Sequence, residues 1–121
     1  MTKKQVTELS KTIFNKVSDY YGYSKYHKSL PYLMIEDSPY SDADDPDCFG
    51  EYDKDENELI IYWKNTDSAE TLSKTIIHEY QHYLQSKSWF TRYYNMGYGY
   101  NTHPYEISAT NEETNWFIFL N

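Results

Sequence analysis

His78-Glu79-Tyr80-Gln81-His82 sets two imidazoles four residues apart, with a carboxylate directly after the first. On a helix each residue advances about 100°, so His78 and His82 project from nearly the same face and can share one metal ion. This is the His-Glu-x-x-His spacing with which a helix binds zinc. Glu79 falls beside that face, where a carboxylate can reach a water on the metal without binding the metal itself, the place a general base needs. With four His and ten Glu in 121 residues, chance supplies roughly 0.01 of such a match, so the spacing is read as chemistry.

The motif must sit on a helix for this to hold, and its surroundings agree. Across residues 71–87 (TLSKTIIHEYQHYLQSK), Leu72, Ile76, Tyr80, Tyr83 and Leu84 fall opposite the histidines. Asp67 and Glu70 are spaced as a capping box at the helix start. A catalytic zinc takes three protein ligands plus water, so one more donor must come from further along. The last Asp is Asp67 and no Cys follows the helix, which leaves His103, Glu106, Glu112 and Glu113. Glu106 completes a two-His-one-Glu set from the first turn of a final helix opened by Pro104, with small Ser108 and Ala109 allowing close helix approach. His103 is the next donor, and Glu112 and Glu113 read as solvated helix positions. Gln85 and Ser88 stand where a metzincin would have Gly and His, which excludes that class.

His78–His82 followed by His103-Pro104-Tyr105-Glu106-Ile107-Ser108-Ala109 resembles the gluzincin group of zinc metallopeptidases, particularly the compact minigluzincins and similar small proteins of phages and microbes. A strand at 59–63 before a Ser-started helix carrying the motif is similar too, so the likeness spans about half the chain. The resemblance implies an α+β, zincin-like fold with an active-site helix, a backing helix carrying the third ligand, and a small sheet whose edge strand lines the cleft. It implies Zn²⁺ held by His78, His82 and Glu106, with Glu79 as general base for hydrolysis of a peptide or protein substrate. Larger gluzincins often carry an Asp four residues after the ligand Glu. Thr110 stands there in this chain, so the usual partner for His78 is missing at that position. For the oxyanion, His103, Tyr105 and Tyr100 are candidate donors, with Tyr93, Tyr94 and Tyr98 also in reach by sequence.

The remaining chain supplies scaffold. Residues 2–21 carry Val6, Leu9, Ile13, Phe14, Val17 and Tyr20 at helical period, with Thr2 and Gln5 spaced as a capping box. His27 lies in a polar, aromatic connection and reads as an exposed residue without a role. A strand is expected at 32–35, and a hairpin at 48–52 and 58–63 around the turn 53–57. The 58–63 strand is expected at the sheet edge above the metal, its free N–H and C=O groups pairing with an extended peptide. Ile107, Trp116, Phe117 and Leu120 are core candidates of the last helix. The expected whole is one α+β domain over 1–121, with about three helices and a small, mainly antiparallel sheet.

Composition narrows the classes. The net charge of −8 is local: residues 36–58 hold eleven Asp and Glu against Lys54 alone, and the rest of the chain sums to +2. A solvated acidic connection is expected there. Asp53-x-Asp55-x-Asn57 begins like a calcium loop, but Glu58 and Lys64 stand where Gly and Glu are required, so an EF-hand is rejected. The aromatic stretch 89–101 has one cation, Arg92, too few for a nucleic-acid strand, and reads as packing or cleft lining. Cys48 is alone, apolar runs are too short to span a bilayer, and no signal-peptide core opens the chain, so a cytoplasmic protein is expected. Two other functions fit the composition: a latent zincin-like module stapled by zinc, and a metal-free interaction protein whose acidic stretch mimics nucleic acid.

Overall fold

A computed structural model describes residues 1–38, 48–85, 92, 95–97 and 103–120. The first helix, α1 (Lys3–Tyr21), starts as its sequence dictates: Thr2 Oγ1 accepts from the Gln5 N–H at 3.1 Å, and Gln5 Oε1 accepts from the Thr2 N–H at 2.9 Å. It stops at Gly22, whose φ of +80° suits a residue without Cβ. Its apolar stripe, Val6, Ile13, Phe14 and Val17, is buried.

Strands β1 (Tyr32–Glu36), β2 (Gly50–Asp53) and β3 (Glu58–Tyr62) form one sheet in the order β1-β3-β2. The expected hairpin is β2–β3, antiparallel, with Glu51 opposite Ile60. Its turn closes because Asp53 Oδ1 accepts from the N–H groups of Asp55 and Glu56, while Asn57 takes the left-handed conformation at φ +52°. β1 runs parallel to β3, so the sheet is mixed rather than mainly antiparallel. β3 is therefore the central strand, paired on both sides, which overturns its expected place at the edge. Leu59 and Ile61 are fully buried, and the edges among the described residues are β1 and β2. An apolar, β-branched run is what a central strand needs, and that composition does not by itself distinguish centre from edge.

The motif helix, α2 (Ala69–Leu84), is capped by Ser68, whose Oγ accepts from the Thr71 N–H at 3.1 Å. The cap is thus one residue later than the expected Asp67, whose carboxyl is instead held low by a hydrogen bond with the Thr71 hydroxyl. Leu72, Ile76, Tyr80 and Tyr83 enter the core with α1 and β3. Both tyrosine hydroxyls are satisfied there: Tyr80 donates to the Gly22 carbonyl and Tyr83 to the Ser29 carbonyl, fastening the α1–β1 connection to α2. His27 is part of that connection, not a free surface residue. Its ring stacks on Tyr83 with centroids 5.3 Å apart, and its Nε2 lies 3.2 Å from the Tyr52 hydroxyl.

The last helix, α3 (Pro104–Glu112), passes into a 3-10 stretch, Glu113–Leu120. Three residues per turn place Glu113, Trp116 and Phe119 on one face. Phe119 is buried, whereas Ile107 and Phe117, expected in the core on an α-helical period, are 44% and 54% exposed. Trp116 and Leu120 pack partly buried against the core.

β2 lies close on α2 through Gly50. A Cβ there would stand 2.7 Å from both the Ile60 carbonyl oxygen and Thr75 Cγ2. Gly50→Ala is expected to lower Tm by several degrees, the overpacking costing about 1–3 kcal/mol. Thr75→Ser added to it should recover only part, since the Ile60 carbonyl remains. An unchanged Tm in thermal denaturation of Gly50→Ala would contradict this packing.

Candidate metal centre

α2 fixes two corners of the site. His78 Nε2 and His82 Nε2 stand 3.1 Å apart on its face, and Glu79 Oε1 lies 3.9 Å from His78 Nε2. His78, Glu79 and His82 form a group able to hold a metal ion. α3 brings a third side chain: Glu106 Oε2 is 2.9 Å from His78 Nε2 and Glu106 Oε1 is 3.0 Å from His82 Nε2. Ala109, fully buried, offers little bulk where α3 packs against α2.

Two further residues set which nitrogen of each ring faces this cluster. Gln85 Nε2 donates to the Tyr105 carbonyl at 3.0 Å, so its Oε1, 2.7 Å from His82 Nδ1, must be the acceptor of an Nδ1–H. Glu113 Oε2 lies 2.9 Å from His78 Nδ1 and can only accept when ionised. Both rings therefore hold hydrogen on Nδ1 and, when neutral, direct the Nε2 lone pairs together. Glu113 takes the place left open by Thr110, and the reading of Glu113 as a solvated position is corrected. Seven residues after Glu106, it lies on the same face of α3.

The donor set suits a metal. Two donors each about 2.1 Å from one ion lie no more than about 4.2 Å apart, and the three separations among His78, His82 and Glu106 all meet this limit. Two imidazole nitrogens and a carboxylate, with their far sides hydrogen-bonded, match the ligand chemistry of zinc and similar divalent ions.

Burial and mutual charge set the protonation of the metal-free cluster. Burial lowers the basicity of His78, but hydrogen bonds to Glu106 and Glu113 outweigh it and push the pKa up to about 10. Burial opposes ionisation of Glu106 too, and its hydrogen bonds to both histidines overcome it, holding the carboxyl down at about 2. Glu79 has no such bond. Burial dominates there and raises it to about 7, only partly offset by the two imidazoles.

The remaining candidates divide. Tyr105 lies flat on His82, ring centroids 4.3 Å apart and planes 8° apart, and burial raises its hydroxyl above the ordinary range. His103 is buried and caps α3, its Nδ1 accepting the Tyr105 N–H at 3.0 Å. Tyr93, Tyr94, Tyr98 and Tyr100 lie outside the described residues. Lys54, in the hairpin turn, sets its ammonium 4.6 Å above the Tyr105 ring, making a His82–Tyr105–Lys54 stack that the sequence did not suggest. Among the described residues no helix is long and apolar enough to cross a membrane.

No protein-family model, curated protein or solved structure matches this chain.

A pH dependence follows for the metal-free protein. His78 has a folded pKa raised from 6.5 to about 10, so its stabilisation is complete below the unfolded value and is lost as pH rises through the folded one. Glu79, raised from 4.5 to about 7, acts in the same direction at lower pH, because the unfolded chain gives up that proton first. Urea denaturation of metal-free protein should thus show falling stability from about pH 5 to pH 10, with the upper part of the fall removed in His78→Asn. A cation held at His78 Nε2 would displace that proton, so any Tm increment given by an added divalent ion should grow over pH 6–8.

Proposed function

We propose that this protein is a zinc-dependent peptidase of the gluzincin kind, with His78, His82 and Glu106 holding the metal. The observation that carries this reading is the convergence of both Nε2 atoms on the Glu106 carboxylate, with Glu79 on the same face at 3.9 Å. When bound, zinc would supply Lewis acidity, activating water and polarising the carbonyl under attack.

The chain's own groups divide the remaining work. Gln85 and Glu113 keep the rings in the ligating tautomer. Glu79, its carboxyl poised at about 7, accepts a proton from the attacking water as the O–C bond forms, and returns it to the amine as the C–N bond breaks. Tyr105, protonated and beside the cluster, is the described hydroxyl best placed to donate to a developing oxyanion. β2 gives an extended substrate somewhere to lie. It is a sheet edge, packs on α2 at Thr75, and its Glu51 is close enough to Glu79 to oppose its ionisation.

Untagged protein should carry one zinc per chain, and Glu79→Gln should retain the metal and the fold while losing all hydrolysis of a casein or mixed-peptide substrate. Full zinc with no hydrolysis by the unmodified protein would leave zinc as a staple between α2 and α3. Glu106→Ala should abolish stoichiometric binding in a chromogenic-chelator competition. Glu113→Gln and Gln85→Ala should weaken it by about 10–100-fold. Zinc retained in Glu106→Ala would remove that residue from the ligand set.

A further inference from the structure

The edge strand β2 carries a charge pattern that the peptidase reading leaves unused. Tyr62 donates its N–H to the Phe49 carbonyl at 3.0 Å, which makes Phe49–Tyr62 a hydrogen-bonded pair of the antiparallel ladder. Such pairs alternate, so Glu51 and Asp53 also spend their N–H and C=O groups on β3. Gly50 and Tyr52 turn theirs to the open edge. The Gly50 carbonyl there meets the Cys48 thiol at 3.0 Å, a weak donor that a peptide N–H can replace.

Side chains alternate in the other sense. Gly50 and Tyr52 face α2, Gly50 against Thr75 and Tyr52 with its ring 6.1 Å from Tyr83. Glu51 and Asp53 consequently lie on the other face of the strand, together with Glu58, which pairs with Asp53, although Glu51 is near enough to Glu79 for its charge to be felt there. Among the described residues none of these three carboxylates is in a salt bridge. The cation nearest in sequence, Lys54, leans over Tyr105 instead.

We infer that β2 receives an extended peptide bearing Lys or Arg at two positions, i and i+2, opposite Glu51 and Asp53. Residues directly across an antiparallel or parallel pairing share a face, so a period of two in the ligand matches the period of two in the acids. The residue between them turns inward, toward Tyr52 and the metal-bearing helix. The hairpin 50–58 carries Glu51, Asp53, Asp55, Glu56 and Glu58 against Lys54, a net −4 that attracts cationic chains to this edge. This inference rests on the peptidase reading for its consequence, cleavage, but the binding step can be tested without it.

Zinc-loaded Glu79→Gln protein is titrated by fluorescence polarisation with labelled decapeptides that differ only in a central Lys-x-Lys, Gln-x-Gln or Glu-x-Glu. Lys-x-Lys should bind about 2- to 30-fold more tightly than Gln-x-Gln, the range for two opposite-charge cross-strand pairs, and Glu-x-Glu more weakly than either. The advantage should shrink as salt rises from about 50 to 500 mM. Lys residues moved to i and i+1 should lose half of it, because one then points to the opposite face. Glu51→Lys should reverse the preference at one position, and Glu51→Gln, which is milder to the fold, should abolish it there. Equal binding of the three peptides, or none by any, overturns the inference. Unbiased binding together with cleavage by the unmodified protein would sink it while leaving the peptidase standing. Biased binding without cleavage would support it while removing the peptidase.

Discussion

The carboxylate of Glu106 bridging two imidazole nitrogens at 2.9 and 3.0 Å is the interaction on which the arrangement of this protein turns. A buried carboxylate loses its hydration, and it is kept ionised only by partners good enough to offset that loss. Those partners sit on α2, one turn apart, whereas Glu106 belongs to α3, so satisfying the charge obliges the helices to meet. Their meeting is built in several ways. Ala109 offers little bulk, Gln85 at the end of α2 reaches the Tyr105 carbonyl, and Tyr105 covers the His82 ring. None of these contacts is independent of the others, because each depends on the same helix-to-helix distance.

The opposite face of α2 supplies the rigidity that such spacing demands. Leu72, Ile76, Tyr80 and Tyr83 are wholly buried among α1, β3 and Phe119. The two tyrosines use their hydroxyls on backbone groups of the α1–β1 connection, so that irregular segment is bound to the motif helix. Tyr52, His27 and Asn57 extend the same network to the hairpin: Tyr52 donates to Asn57 Oδ1 at 2.6 Å, and Asn57 Nδ2 donates to the Ser29 carbonyl at 3.2 Å. The edge strand is thereby referenced to α2 at two points of one face, by Gly50 against Thr75 and by Tyr52, whose ring meets Tyr83 and whose hydroxyl bonds to the α1–β1 connection and the hairpin turn.

Patterns governed by local chemistry were legible in the sequence. Thr2 with Gln5, the hairpin turn, the apolar stripe of α2 and the start of α3 at Pro104 depend on residues a few positions apart. Strand order was not legible, since β1 and β3 pair across an intervening connection that no local rule specifies. The misplacement of Phe117 has a local cause. An α-helical period carried past Glu112 would group Phe117 with Glu113, whereas the 3-10 period groups Trp116 and Phe119 with it, so Phe119 is buried and Phe117 exposed. Glu113 lies seven residues after Glu106, on the same face of α3, and its pairing with His78 depends on how α3 packs on α2. The role of Gln85 is not legible locally, as it depends on the Tyr105 carbonyl, twenty residues away.

The two histidines are held by unlike partners, and the difference bears on how metal and proton compete. His82 donates to the neutral amide of Gln85, while His78 faces the carboxylates of Glu113 and Glu106 on its two nitrogens. Negative charge on both sides favours the protonated form of His78, which is why burial fails to lower its pKa. The atoms that bind a proton between His78 and Glu106 are the ones a cation would occupy, so exchanging one for the other requires little rearrangement of the chain. Glu79, the other buried acid among the described residues, stands outside this exchange. Lacking a hydrogen bond to either ring, it is governed by burial, which raises its pKa to about 7, so that near neutral pH it can both take up and release a proton.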